Sequence, residues 1–419
     1  MNTYITALTF AIPLFVILIG VEALIAYRKG IQINRAADMI SSLSSGLTNT
    51  TRDGIQFGFI LLSYTWMVEH LTIVKVEPIW LAVVIAFISE DFAGYWVHRM
   101  SHRINFMWNR HIIHHSSEEF NLSCALRQSI SDNVQFTTIL FLPAALMGIP
   151  PEVFAIVGPV HLFLQFWYHT RLIDKMGLLE KILVTPSHHR VHHAINPNYI
   201  DKNYSQIFII WDKLFGTFQC EEKEDPPVYG ILRPARTWNP VFINFKHIWQ
   251  LTKDTYHTHS YWDKIRIWFM PTGWRPEDIA IKYPLKTLDD HRDLKKYTTQ
   301  NSNLLLGWSF IQLSVSLTFM FSIFFNISQL TSIWIILLAG FLIIHIMAFT
   351  LLLDGNKISL RIELVKCIIG FILFSFLFFN SSLIAPVAFT GICLYLLTSL
   401  ILSIYFNRTE PKQNLALTQ

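Results

Sequence analysis

Long apolar stretches separated by short polar turns run through most of the chain. A helix needs about 20 apolar residues to cross roughly 30 Å of hydrocarbon. Residues 4–26 meet that length, with Glu22 near the end of the stretch, and no basic segment or small-residue cleavage pattern accompanies them, so a retained anchor is expected. Further apolar stretches cover 55–68, starting back toward Leu43, and 78–97. Two short apolar helices are predicted within 134–167, turning at Gly148-Ile149-Pro150-Pro151. A polar region follows, about 171–302. Between Lys296 and Asp354, and again between Lys366 and Arg408, no Asp, Glu, Lys or Arg occurs. Each gap fits a helical hairpin, with turns near Asn326 and Asn380. The pattern predicts nine apolar segments in an all-α, multi-pass membrane bundle. It divides the chain into N-terminal spans (1–88), a catalytic region (89–302) and C-terminal spans with a short tail (303–419).

Composition agrees with a lipid-facing chain. Hydrophobic residues make up 52% and charged residues 15%, against about 25% charged in soluble domains. Mean hydropathy is +0.38. A soluble globule, a disordered chain and a collagen are excluded, and a net charge of +4 gives no case for nucleic-acid binding. Cys124, Cys220, Cys367 and Cys393 lie far apart, so no disulfide framework or zinc knuckle is indicated. Arg28 and Lys29, then Arg99, Arg103 and Arg110, then Arg171 and Lys175, then Lys357, Arg361 and Lys366, then Arg408 and Lys412 all fall on one face if the N-terminus is outside. Lys75 is the exception. The polar region is therefore expected in the cytoplasm, facing either the endoplasmic reticulum membrane or a bacterial inner membrane.

Most of the 17 histidines crowd between His98 and His193. His98 and His102 share a helical face at i, i+4. His111, His114 and His115 repeat the spacing, as do His189, His192 and His193, and His169 closes the fifth apolar segment. Imidazoles bind Zn, Cu, Fe or Ni, and eight or nine of them exceed the needs of one ion with an open position, so two ions are expected. Glu90, Asp91, Glu118, Glu119 and Asp201 are candidates for carboxylates that orient the rings. His70, His161 and His345 read as interfacial or core residues, and His247, His257 and His259 as surface residues of the polar region. Asp132, Arg127, Gln128 and the Gln165-Phe166-Trp167-Tyr168 run are read structurally.

The boxes HRMSH from His98, HIIHH from His111 and HRVHH from His189 resemble those of the fatty acid hydroxylase and sterol desaturase superfamily. HHSSEEFNLSCALRQS from His114, QFWYHT from Gln165, TPSHHRVHH from Thr185, IDKNY from Ile200 and IIWDKLFGTF from Ile209 resemble its alkylglycerol monooxygenase branch over 89–218. Outside that region the likeness is one of hydropathy. Arg103 departs from the pattern, since an acidic residue is expected after the first box. The resemblance implies a non-haem diiron site held by the eight box histidines, with His169 as a further ligand. It also implies oxygen- and tetrahydrobiopterin-dependent hydroxylation of a 1-O-alkylglycerol beside the ether oxygen, giving fatty aldehyde and glycerol. No pterin-binding residue can be read from the sequence. The rival with the same chemistry is a sterol desaturase or hydroxylase, or a fatty acyl hydroxylase, supplied with electrons by a partner protein. A remoter rival is a metal transporter.

Overall fold

The computed structural model describes residues 2–55, 59–60, 62–132, 134–135, 137–381 and 383–411. Lys412 lies outside them. The helices are α1 (Asn2–Arg28), α2 (Ala36–Gly54), α3 (Tyr64–Leu71), α4 (Ile79–Arg103), α5 (Asn105–His115), α6 (Leu122–Ala125), α7 (Leu142–Leu146), α8 (Pro151–Phe166), α9 (Pro186–His192) and α10 (Ile210–Leu214). Then come α11 (Pro240–His257), α12 (Tyr261–Arg266), α13 (Glu277–Lys282), α14 (Asn303–Phe325), α15 (Ser332–Leu353), α16 (Ser359–Asn380) and α17 (Pro386–Thr409). A two-residue parallel pair, β1 (Phe59–Ile60) with β2 (Val134–Gln135), is the sheet among the described residues.

Among the described residues, six helices are long and apolar enough to span a membrane: α1, α4 and α14 to α17. Both C-terminal hairpins turn where the charge-free gaps place them, and the short pair turns at Gly148, whose φ of +64° suits glycine. Of the nine apolar segments, the second, 55–68, is only partly among the described residues. The helix there, α3, has only eight residues.

The long helix before that stretch is α2, a polar helix that is not among the candidate spans. Its buried face carries Asp38, Ser41, Ser42, Ser44, Ser45, Thr48 and Thr51, and it packs on α14 and α15. Beside it runs a non-helical stretch after α6. Ser45 Oγ donates to the Gln128 carbonyl at 2.7 Å, Asn49 Nδ2 to that of Ser129 at 2.9 Å and Arg52 Nη1 to that of Asp132 at 3.0 Å. From the other side, Asn244 of α11 accepts from Ile130 N at 3.0 Å. Irregular backbone away from water must find such partners, which explains why α2 is polar.

One end of the bundle gathers the ends of the spans around the polar region. Glu22 of α1 accepts from Leu122 N at 2.8 Å and Thr170 Oγ1 at 2.6 Å. Asp354, after α15, accepts from Trp238 N at 2.7 Å and Tyr297 Oη at 3.0 Å. Ser359 at the start of α16 meets Asn407 of α17. The histidines of α4, α5 and α9 sit at this end.

Candidate metal centre

The nine histidines come together in two adjoining sets. His98, His102, His111, His115 and His192 form one, and His114, His169, His189 and His193 the other; within each, one nitrogen per ring lies within 4.8 Å of all the others. Helical spacing does the local work. On α5, His111 and His115 face one set while His114, offset by one position, faces the second. In and just after α9, His192 joins the first set, and His189 and His193 the second.

The nitrogen spacings fit ligands around a common point. His98 Nε2 is 2.9 Å from His111 Nε2, and His115 Nε2 lies 3.0 Å from His111, 3.2 Å from His102 and 3.1 Å from His192. In the second set, His169 Nε2 is 3.3 Å from His114 Nε2 and 2.8 Å from His189 Nε2, and His193 Nε2 is 3.0 Å from His189. With imidazole–metal bonds of about 2.1 Å, ligands at right angles stand about 3.0 Å apart.

Tautomers argue the same way. Nδ1 of His98 is 2.7 Å from the Tyr204 carbonyl oxygen, that of His192 2.9 Å from the Lys202 carbonyl, that of His114 3.2 Å from the Arg127 carbonyl and that of His169 3.0 Å from the Gln165 carbonyl. A carbonyl only accepts, so each Nδ1 carries the proton and each Nε2 presents a lone pair. Burial holds His114 neutral, lowering it to about 3, and lowers His111, His115, His169, His189, His192 and His193 well below the ordinary range. His114 and His169 therefore aim two lone pairs at each other across 3.3 Å with no proton between them. A cation between the rings resolves that repulsion, so the residues present fit a bound metal in each set.

The Lys202 and Tyr204 carbonyls come from a strained loop. Asp201 and Asn203 have φ of +61° and +54°, a region non-glycine residues enter at a cost but Asn and Asp enter most readily. Asn203 Nδ2 donates to the His188 and Gln219 carbonyls, and its Oδ1 accepts from Gln219 N at 2.9 Å. Asp212, in the WDKLFGT string, accepts from Tyr204 N and Ser205 N at 2.8 Å each and from Thr217 Oγ1 at 2.6 Å. Asn203 and Asp212 thus fix the loop that turns carbonyls toward His98 and His192. Neither was among the candidates read from the sequence; the Asp-Lys-Asn run, tolerant of left-handed backbone, was the available signal.

Of the five candidate carboxylates, only Asp201 reaches a ring of either set: its Oδ1 is 3.8 Å from His102 Nδ1. Asp91 accepts from His161 at 3.0 Å, Ile207 N at 2.8 Å and Trp211 Nε1 at 2.8 Å, anchoring α4 to the loop before α10. Glu90 is half-buried on α4 beside Asp91 and His161. Glu118 pairs with Arg35 and Tyr297 N, and Glu119 with Arg35, Arg171 and Lys296. Arg127, fully buried, makes an ion pair with Asp38 at 2.9 Å and donates to Ser42 and Ser116, holding its own carbonyl against His114. His70, His161, His247, His257, His259 and His345 lie outside both sets.

The fatty acid hydroxylase family model matches residues 83–217, the segment that carries all nine histidines. The chain is 33% identical to human alkylglycerol monooxygenase over 371 residues, covering 87% of this chain and 82% of that protein. The enzyme of the same name from Danio rerio is 32% identical with the same coverage. The chain belongs to the alkylglycerol monooxygenase family. It is accordingly an oxidoreductase. The Caenorhabditis elegans alkylglycerol monooxygenase is 40% identical over 196 residues, or 45% of this chain and 38% of that protein. Similarity over 87% of the chain extends past 89–218, so the flanks share more than hydropathy with these relatives. No solved structure matches the chain.

Proposed function

We propose that the chain is a diiron monooxygenase that cleaves the ether bond of 1-O-alkylglycerols. The observation that carries the metal reading is the facing pair of unprotonated Nε2 atoms on His114 and His169; family membership supplies the reaction. Five histidines would hold one iron and four the other. Two irons there would supply the activation of molecular oxygen needed to hydroxylate an unactivated carbon. The substrate carbon beside the ether oxygen gains a hydroxyl, and the hemiacetal collapses to fatty aldehyde and glycerol. Of the two oxygen atoms, one enters the product and the other leaves as water with two electrons from the reductant, tetrahydrobiopterin by resemblance to the family.

The protein's own part is positional. Carbonyls of Arg127, Gln165, Lys202 and Tyr204 fix the ring tautomers, and Asp201 faces His102. Phe120 stacks against His169 with ring centres 5.8 Å apart and against Tyr229 at 5.1 Å, closing the four-histidine set with apolar surface. An alkyl chain lying among the spans would bring its glycerol end to this face of the bundle, which the positive-inside pattern assigns to the cytoplasm.

The test is fatty aldehyde release from a 1-O-alkylglycerol by iron-loaded protein under oxygen, with and without tetrahydrobiopterin. Pterin-dependent aldehyde is expected. Absence of aldehyde from protein shown to contain iron would overturn the substrate, and activity driven only by a redox protein would overturn the reductant.

A further inference from the structure

The four C-terminal spans contain a second built site, far from the histidines in sequence and not explained by them. At the histidine end of this subdomain, α14 and α17 are tied together: Ser302 N donates to Glu410 at 3.1 Å, and Tyr395 Oη donates to Gln312 Oε1 at 3.2 Å. Beyond that closure a cavity of about 680 Å³ lies between the two helices, floored by Phe341 of α15 and Phe374 of α16 and walled by Phe319 and Ile392. Its size is within the range of about 300–1,000 Å³ typical of small-molecule sites.

The closed end is polar. His345, 2% exposed, lines the cavity there. Its Nε2 is 3.2 Å from the Gln312 carbonyl and 3.4 Å from Tyr395 Oη, while its Nδ1 has no hydrogen-bond partner among the described residues. Behind it, Lys366 pairs with Glu363 at 2.6 Å and donates to Ser399 at 2.7 Å, so the local charges cancel. Along one wall, Ser314, Thr318 and Ser322 each donate to the carbonyl one turn back, which leaves hydroxyl lone pairs toward the cavity. A buried nitrogen with no partner is costly in an apolar setting. An occupant that reaches His345 removes that cost.

We infer that this cavity binds a neutral, single-chain, hydroxyl-headed lipid drawn from the bilayer. The hydroxyl meets His345 Nδ1, and the chain lies along Phe319, Phe341 and Ile392. The head is uncharged because Glu363 and Lys366 already neutralise each other. The Gln312 carbonyl takes the Nε2 proton, so Nδ1 presents a lone pair, and a hydroxyl suits because it donates to it. The walls belong to spanning helices, so the occupant enters from lipid. The inference does not rest on the ether-cleavage reading.

Full-length protein in phosphatidylcholine nanodiscs, irradiated with a monoalkylglycerol carrying a mid-chain diazirine, tests it by peptide mapping. Labelling should concentrate on α14 and α17 and be displaced by unlabelled monoalkylglycerol. Ala388→Trp, which fills the cavity from the accessible side of α17, and His345→Leu, which removes the polar contact, should each lower it about tenfold, the effect of one lost hydrogen bond or more. Iron content should stay unchanged in both. Labelling spread evenly over the spans, equal labelling by a headless diazirine alkane, or labelling untouched by both variants would overturn the site in favour of ordinary surrounding lipid or a water-filled cleft.

Discussion

Arg103 Nη1 donates to Asp201 Oδ2 at 2.9 Å, and the other oxygen of that carboxylate lies 3.8 Å from His102 Nδ1. The basic residue after the first histidine box therefore finds its acid across the structure, on the strained loop. Arg103 is 58% exposed, so the ion pair itself adds little stability. Its effect is to aim Asp201. Carboxylates behind ligating histidines typically change metal affinity by about ten- to a hundredfold. Asp201→Ala is expected to release iron to a chelator that much more readily, with the helices intact by circular dichroism. Unchanged release would remove Asp201 from the site.

The loop carrying those carbonyls depends on Asn203. Asn203→Ala loses hydrogen bonds to His188 and Gln219 and places alanine at φ of +54°. Such strain and lost bonds each cost about 1–3 kcal/mol. The expected result is weaker iron retention in the five-histidine set, read as a lower iron-to-protein ratio. Asn203→Gly removes the strain alone and should recover only part of it. Wild-type iron content in the alanine variant would contradict the role given to the loop.

Arg127 and Asp38 form a fully buried ion pair beneath the four-histidine set. Removing one partner of such a pair leaves an uncompensated charge, at a cost of about 3–5 kcal/mol. Arg127→Met should lower the unfolding midpoint sharply, and Arg127→Met with Asp38→Leu should regain much of it. Equal stability of the single variant and the parent would show that the pair is not a strut.

Burial lowers His111, His114, His115, His169, His189, His192 and His193, so in the folded metal-free chain these rings stay neutral where unfolded rings, near pH 6.5, take up protons. The unfolded state then binds more protons below that pH. The stability these rings contribute is complete above about pH 6.5 and is lost as pH falls, by about 1.4 kcal/mol per ring per pH unit. Metal-free protein should melt at progressively lower temperature between pH 7 and 5. A flat profile would contradict the buried, neutral set.

The histidine boxes were legible because a helix converts i, i+3 and i, i+4 spacing directly into a shared face. His169 carried a weaker signal, since its place depends on how α8 ends. Asn203 and Asp212 were missed for another reason: they act through backbone carbonyls of a loop, and the Asp-Lys-Asn run signals only its left-handed backbone, not what those carbonyls face. The spans α1, α4 and α14 to α17 announced themselves by hydropathy. The polar helix α2 carried no such signal, because hydropathy reports helices that face lipid, and this one faces protein with a row of serines and threonines. The apolar run after it drew the prediction instead.

The most direct test of the two-set arrangement is iron stoichiometry on purified full-length protein. Two irons per chain are expected in the parent, and about one in His189→Ala, which breaks the four-histidine set while leaving His98, His102, His111, His115 and His192 in place. A parent that holds a single iron when fully loaded, or a His189→Ala variant that still holds two, would contradict it.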